Sequence, residues 1–428
     1  MPLKILVIGA GICGPAFATL LRQSNPDASV TVIERYPGIR HNGLQIDLRS
    51  WGVPIMKSMG LIDAVKQVRV KERGVAFVNS KGRDIAIFEP SGSGTGRQSF
   101  TSDFEIMRGD LAQILYEDSL RGQTEEQAKS EDVPGIRYRF DTTVAAFDQD
   151  DDGVDVTFSN GSKGRYDLVV GADGQWSKTR RMMFGDAEGL AMFKPLDVYV
   201  AYYTIPKEPG DDDGFARGYL AGGGRGLTTR TGDRPTTQAY LMFGSKEASV
   251  RSSIERQPVE RQKETFLKLF KGSGWKEERL LQGLRTCTDF YADSIGQIKA
   301  PTAVKGRIAL IGDAGFCASP ITGMGTTLSL ITAWTLAGEL ARNKNDVKAA
   351  LAAYDANVRP YVKDMQSVPP GVPWLMTLHS KWSIAIFHVI LRFLAWIQID
   401  KLLFRILPEN RGGMEVPNYP ELGLKSSS

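Results

Sequence analysis

The sequence predicts an α/β fold in which a mainly parallel sheet is interrupted by an antiparallel one and followed by a C-terminal helical segment. Three stretches carry this prediction. Residues 3–35 read as strand, glycine turn, helix and second strand. Residues 198–243 read as short strands parted by glycine- and proline-marked turns, and residues 306–342 as a buried strand, an acid, a glycine-rich bend and a long helix.

A chain of 428 residues holds two such units, and 42% hydrophobic content is that of an ordinary globular protein. The formal charge is only +4, with no basic block or aromatic-interleaved basic stripe, so nucleic acid is not an expected partner. Cys13, Cys287 and Cys317 form no CxxC, and His41, His379 and His388 are scattered, so no metal site is expected. Lys4 before an apolar run imitates a secretory signal, but glycines interrupt the run and the pattern continues into a complete βαβ unit. The odd cysteine count then suits a reducing, cytoplasmic setting.

Leu3, Ile5, Leu6, Val7 and Ile8 suit a strand buried on both faces. Gly9, Gly11 and Gly14 follow at the spacing GxGxxG. The first permits a tight turn, the second lets backbone approach a pyrophosphate, and the third lets the helix pack closely. A phosphate would rest on that helix's free N–H groups. The second strand, 30–33, ends at Glu34, twenty residues after Gly14. A carboxylate there accepts from ribose hydroxyls and repels a 2′-phosphate, which favours FAD or NAD over NADP in this Rossmann-like unit.

Residues 36–43 read as a loop and 51–68 as helical. Residues 74–106 suggest two or three strands around a flexible SGSGTG connector at 91–96. A helix runs from 107 to about 121. Arg108 at its start sits where a cation is electrostatically unfavourable, so it either meets an anion or is solvated. Residues 136–147 and 154–158 alternate as a hairpin, with 148–153 as a solvated acidic turn. A buried strand ends at Gly171-Ala172-Asp173-Gly174, and helices cover 259–271 and 275–286. The block at 306–342 then places Asp313 where it could hold sugar-like hydroxyls, and free N–H groups near Gly325 where they could stabilise negative charge. Two such sites suit one extended cofactor better than two ligands. A flavin, whose N1–C2=O edge becomes negative on reduction, matches the second.

On these pieces the chain resembles the group A FAD-dependent monooxygenases, typified by para-hydroxybenzoate hydroxylase, and is most similar to the branch of tetracycline-modifying flavin monooxygenases. The matching runs are GAGICG at 9–14, ER at 34–35, MRGDLAQIL at 107–115, DLVVGADG at 167–174 and the block at 306–340. The resemblance implies a discontinuous FAD-binding domain (1–73, 102–185, 291–370), a substrate domain (74–101, 186–290) and the C-terminal segment 371–428. It implies that Glu34 binds the adenosine ribose, that Arg108 reaches the FAD, and that Asp173 and Gly174 match a motif contacting FAD and nicotinamide. Asp313 would hold the ribityl region, residues 323–326, including Gly323, Gly325 and Thr326, would face the flavin ring, and Arg35, Gly43 and Gly312 would complete the cofactor site. Thr327 and Thr332-Ala333 depart from the Asn and Asp-Ala of many members.

The family's chemistry follows as an expectation. NADPH or NADH reduces FAD as a transient reductant, O₂ adds at flavin C4a, and the hydroperoxide hydroxylates an electron-rich aromatic or polyketide-like small molecule. Epoxidation, oxidative decarboxylation or dehydrogenation, or a flavin-binding module without enzyme activity, remain the alternatives. Tyr203, Arg217 and Tyr219 are candidates to orient substrate, against plain cross-strand packing. No protein acid or base is expected. The run 381–399 is apolar nearly all round. Roughly 27 Å of helix with Arg392 near its middle argues against a span, so it covers the protein or makes peripheral membrane contact through 381–407.

Overall fold

The structure, a computed structural model, describes residues 2–41, 43–89, 104–130, 133–211, 213–344, 346–368, 378–398 and 415–424. The SGSGTG connector and residues 399–407 lie outside the described residues.

The apolar opening run becomes the strand Lys4–Ile8, which sits inside a six-stranded sheet. The order is Val304–Lys305, Ile308–Leu310, Leu168–Gly171, Lys4–Ile8, Ser29–Ile33, Gly135–Arg139. Every pairing is parallel except that of Val304–Lys305. Alternation explains why the run has no polar face. Ile5 and Val7 pack with Phe17 and Leu20 of the helix Cys13–Ser24 and with Leu328 and Ile331 of the helix Gly325–Arg342. Leu6 and Ile8 point the other way, onto Val156, Phe158 and Tyr166 of a three-stranded antiparallel ribbon and onto Met183.

Two expected elements divide. The helical pattern at 51–68 forms the helices Gly52–Ser58 and Ile62–Val68, parted at Gly60, whose φ of +74° ends the first. The run 136–147 turns a corner at Asp141, φ +51°. Gly135–Arg139 joins the six-stranded sheet, and Val144–Gln149 alone pairs with Val154–Phe158.

The second sheet has seven strands, in the order Tyr291–Ile298, Phe193–Pro206, Thr236–Gly244, Arg225–Arg230, Phe215–Gly222, Gly74–Val78, Asp84–Phe88. It is antiparallel apart from the pairing of Phe215–Gly222 with Gly74–Val78. Tyr291–Ile298, placed with the FAD-binding unit on sequence grounds, instead pairs along Phe193–Pro206 as an edge of this sheet. It is also fastened to the first unit. Trp176 Nε1 donates to Asp293 (2.8 Å), Gln175 Nε2 to the Ser294 carbonyl (2.9 Å), and Ile298 N to the Cys317 carbonyl (3.2 Å). Gln297 Nε2 donates to the Gln366 carbonyl (2.7 Å), and Gln366 Nε2 donates back to the Ile298 carbonyl (2.7 Å).

The helix Lys381–Trp396 lays Phe387, Leu391, Leu394 and Ala395 on Phe77, Ile85, Ala86 and Phe88 of the second sheet. Ser380 caps it through Ser383 N (3.0 Å), and the N–H groups of Gly223 and Gly224 hold the preceding carbonyls of His379 and Leu378. No helix among the described residues is long and apolar enough to cross a membrane. Residues 415–424 return to the first unit. Tyr419 is buried, donates to Glu339 Oε1 (2.7 Å), and lies where a Cβ on Gly338 would come within 2.2 Å of its ring. Trp334 Nε1 and Tyr361 OH hold the carbonyls of Pro417 and Glu415.

Tyr419→Ala should therefore lower stability by about 3–5 kcal/mol, the usual cost of removing a buried aromatic ring, here with a buried Glu339 losing a donor. Urea unfolding of the purified protein measures it, and a loss under about 1 kcal/mol contradicts the packing described.

Candidate active site

The site is built on backbone contacts that exclude side chains. Gly9 has φ +114°, and a Cβ there would stand 2.5 Å from the Ala172 carbonyl oxygen. A Cβ on Gly14 would stand 2.1 Å from the Gly9 carbonyl oxygen. The turn, the start of its helix and the end of the neighbouring strand thus touch through main chain alone. Glu34, at the end of the next strand, holds the same turn: its carboxylate accepts from Ala10 N (2.9 Å) and Tyr36 N (3.2 Å). Arg35 is exposed, its guanidinium stacked on the Tyr36 ring at 4.9 Å, and His41 is exposed as well.

Arg108 joins the distant stretches. It starts the helix Arg108–Leu120, and its guanidinium passes beside the glycine turn: a Cβ on Gly11 would meet Nη2 at 3.3 Å, and one on Gly43 would meet Cδ at 3.0 Å. Burial lowers its pKa, as does the Arg40 cation, while Tyr291, Asp313 and Glu34 oppose them. One buried cation is therefore within electrostatic reach of both Glu34 and Asp313, although those residues come from separate blocks far apart in the sequence. Asp313 follows Gly312, φ +57°, whose N–H donates to Thr332 Oγ1 (2.8 Å). Burial raises the Asp313 pKa and the Arg108 charge lowers it. The first helix closes the arrangement, because a Cβ on Gly312 would meet Cys13 at 3.1 Å.

Beyond Asp313 the chain bends through Ser319 (φ +78°) and Gly323 (φ +65°) into the helix Gly325–Arg342. The first intrahelical bond runs from Leu328 N to Met324 O, so the N–H groups of Gly325, Thr326 and Thr327 precede it. A Cβ on Gly325 would meet nothing within 4 Å, whereas Thr326 is buried and Thr327 Oγ1 is tied to the Arg49 carbonyl (2.8 Å). The sequence reading gave Asp173 a ligand role; its carboxylate accepts from Ser177 Oγ (2.6 Å), Thr179 N (3.0 Å) and Thr179 Oγ1 (3.0 Å), which holds the start of the helix Lys178–Phe184. Gly174, φ +79°, borders open space.

Sequence reasoning passed over Arg180, Arg40, Tyr291 and Asp293. Arg180 is fully buried and donates to the carbonyls of Gly189, Ala314 and Gln175. Burial pulls its pKa down to about 10, against the Asp173 charge. Its signal was present, seven residues after Asp173 in a run that opens a helix. Tyr291 and Asp293 gave none, because a short alternating strand does not reveal its neighbours.

The side chains of the three candidate substrate contacts are engaged within the second sheet and the helices packed on it. Tyr203 lies on the opposite face of the second sheet, among Phe266, Phe270 and Leu284, with its OH on the Leu280 carbonyl (2.9 Å). Arg217 pairs with Asp84 and Asp213, and Tyr219 packs on Trp275. The residue next door, Tyr202, takes the other face with Tyr240, Met242 and Tyr291, against Leu44 and Ile321 of the first unit. Tyr202 meets Tyr240 edge-on at 4.9 Å and stacks on Tyr291 at 6.2 Å, and Arg40 lies over the Tyr291 ring at 5.4 Å. A small cavity there is lined by Gly43, Tyr202, Gln238 and Tyr240, and also by Tyr203, Thr204 and Asp289.

Comparison with known proteins agrees with this geometry. A family model described as the FAD binding domain matches residues 2–367. The chain belongs to this family. It is 37% identical to FAD-dependent monooxygenase asL6 of Sarocladium schorii over 100% of both chains. It is 33% identical to flavin-dependent monooxygenase eupH of Phoma sp. over 99% of each. The crystal structure of tetracycline destructase Tet(51) superposes with a TM-score of 0.75 at 27% identity, covering 98% of this chain and 99% of that one. This FAD-binding family member is an oxidoreductase of the group A FAD-dependent monooxygenases, and FAD is its cofactor. The residues present suit FAD: the glycine turn leaves no room for a Cβ, Gly174 and Gly325 border open space, and the Arg108 side chain makes no protein hydrogen bond among the described residues.

Burial pushes the Asp293 carboxyl up to about 6, although Trp176 and Tyr291 donate to it. Folded Asp293 thus keeps a proton that the unfolded chain releases, and its contribution to stability falls as pH rises from about 4 to 6. Asp293→Asn should remove that fall, on the order of 2 kcal/mol, in urea unfolding compared at about pH 4 and pH 7. An unchanged difference between the two pH values would contradict the raised value.

Proposed function

We propose that the enzyme hydroxylates an electron-rich aromatic or polyketide-like small molecule, taking electrons transiently from NADPH or NADH and oxygen from O₂. The observation that carries this reading is the aromatic face of Tyr202, Tyr240 and Tyr291, set against Ile321 in the bend that precedes Gly325. The similarity to a structure named for tetracycline destruction supports a substrate of fused-ring type. FAD supplies the redox chemistry: one oxygen atom of O₂ enters the product, the other leaves as water, and the nicotinamide is oxidised.

The chain's own residues position and protect. Gly9, Gly11 and Gly14 let the cofactor's pyrophosphate reach main-chain N–H groups. Glu34 has lone pairs left for ribose hydroxyls beyond its bonds to Ala10 and Tyr36. Arg108, passing Gly43, supplies a buried positive charge, with Arg35 and Gly174 at the margins of the cofactor groove. Asp313, after Gly312, takes the ribityl hydroxyls. The N–H groups at Gly325 and Thr326, reached through Gly323, oppose negative charge on the reduced ring. The tyrosine face keeps water from the reacting centre. A single dinucleotide fingerprint suits a nicotinamide that visits rather than resides.

Glu34→Ala, Arg108→Met and Asp313→Ala should each weaken FAD affinity about tenfold or more, read by flavin fluorescence on titration; unchanged affinity in all three refutes these roles. Tyr202→Ala should raise KM about tenfold in an assay of NADPH consumption coupled to product, whereas Tyr203→Phe leaves it unchanged. Product mass after reaction under ¹⁸O₂ decides the reaction type, since a product without the label excludes hydroxylation.

A further inference from the structure

The C-terminal helix is apolar on two sides, and the second sheet covers only one. Its outer side exposes Trp382 (82%), Ile386 (60%), Val389 (64%), Phe393 (55%) and Trp396 (79%), widened by Ile390. These six are two thirds of the nine large apolar side chains most exposed among the described residues, and a seventh, Ile87, lies on the strand beneath the helix. The inner side is occupied by Leu391 and its neighbours, so the outer residues cannot turn inward without giving up that packing.

We propose that this face docks the enzyme on the surface of an anionic lipid bilayer, with the helix lying in the plane of the interface. Charge selects this occupant. The helix carries Lys381 and Arg392, and no aspartate or glutamate occurs from residue 365 to residue 399. Lipid phosphates and anionic headgroups supply the partners that these cations lack in the helix itself. The 4-3-4-3 spacing of the exposed residues would also fit a helix from a second copy. Such a pair would bring cations together with no acid on either helix to set the register. Tryptophans at both ends, about 21 Å apart, also suit an interface that runs along the whole helix, because an indole buries its ring and keeps its N–H near water. The 16-residue helix is too short to span the hydrocarbon core, in keeping with surface attachment.

Flotation of the FAD-loaded enzyme with vesicles tests this. Phosphatidylcholine vesicles containing phosphatidylglycerol at about one part in four should carry the enzyme upward, and phosphatidylcholine alone should carry about tenfold less. The triple variant Trp382→Ser, Phe393→Ser, Trp396→Ser should lose about tenfold of the bound fraction while keeping its FAD content and its turnover in solution. Lys381→Glu with Arg392→Glu should abolish the preference for phosphatidylglycerol. Light scattering covers the competing occupant. A wild type that floats with neither vesicle overturns the proposal, as does a dimer that the triple variant converts to monomer without any lipid binding.

Discussion

Main chain meeting main chain at the end of the opening strand is the contact on which the rest depends. Where the Gly9 carbonyl comes 2.1 Å from the position of a Cβ on residue 14, only hydrogen fits, and the first helix can start directly over the strand. That closeness brings Cys13 against Gly312, and so the second strand–turn–helix block against the first. The helix Gly325–Arg342 then packs along the helix Cys13–Ser24, and both cover the same face of the sheet. A methyl group on Gly14 would push the first helix off its strand, and one on Gly312 would press on Cys13 from the far end of the sequence.

Around this contact the protein gathers buried charges of both signs. Arg108 is held beside the turn between Glu34 and Asp313, and burial acts against the ionised forms of both Arg108 and Asp313. Desolvating such groups costs stability, and a fold tolerates it where the arrangement is set in advance for a ligand that supplies the missing partners. Asp173 shows the contrast. Its oxygens accept three hydrogen bonds, from Ser177 and Thr179, which tie it to the start of the helix Lys178–Phe184.

How far the sequence revealed this depended on whether each signal was local. The glycine spacing, the acid after the second strand and the apolar strand before Asp313 state their roles within about thirty residues, and the parallel sheet follows from them. Partners across the molecule were not readable. Residues 291–298 look alike whether they close a parallel sheet or edge an antiparallel one, and the structure chose the latter. Among the substrate candidates, Tyr203 stands one position from Tyr202: both are aromatic, and strand alternation turns the Tyr202 ring toward Leu44 and Ile321 of the first unit and the Tyr203 ring toward Phe266 and Phe270. The C-terminal helix was apolar nearly all round in its pattern, and only packing decided which side met the sheet.

The fastening of Tyr291–Ile298 has a consequence for how the protein behaves in a crowded solution. A sheet margin with unsatisfied amides is a template on which another chain can add a strand. Here Gln175, Gln366 and Cys317 occupy groups along one margin, and the C-terminal helix lies against Asp84–Phe88 at the other. The margin at Tyr291–Ile298 is thereby closed to templated growth, and its protection becomes a property of the seam between the two units rather than of either sheet alone.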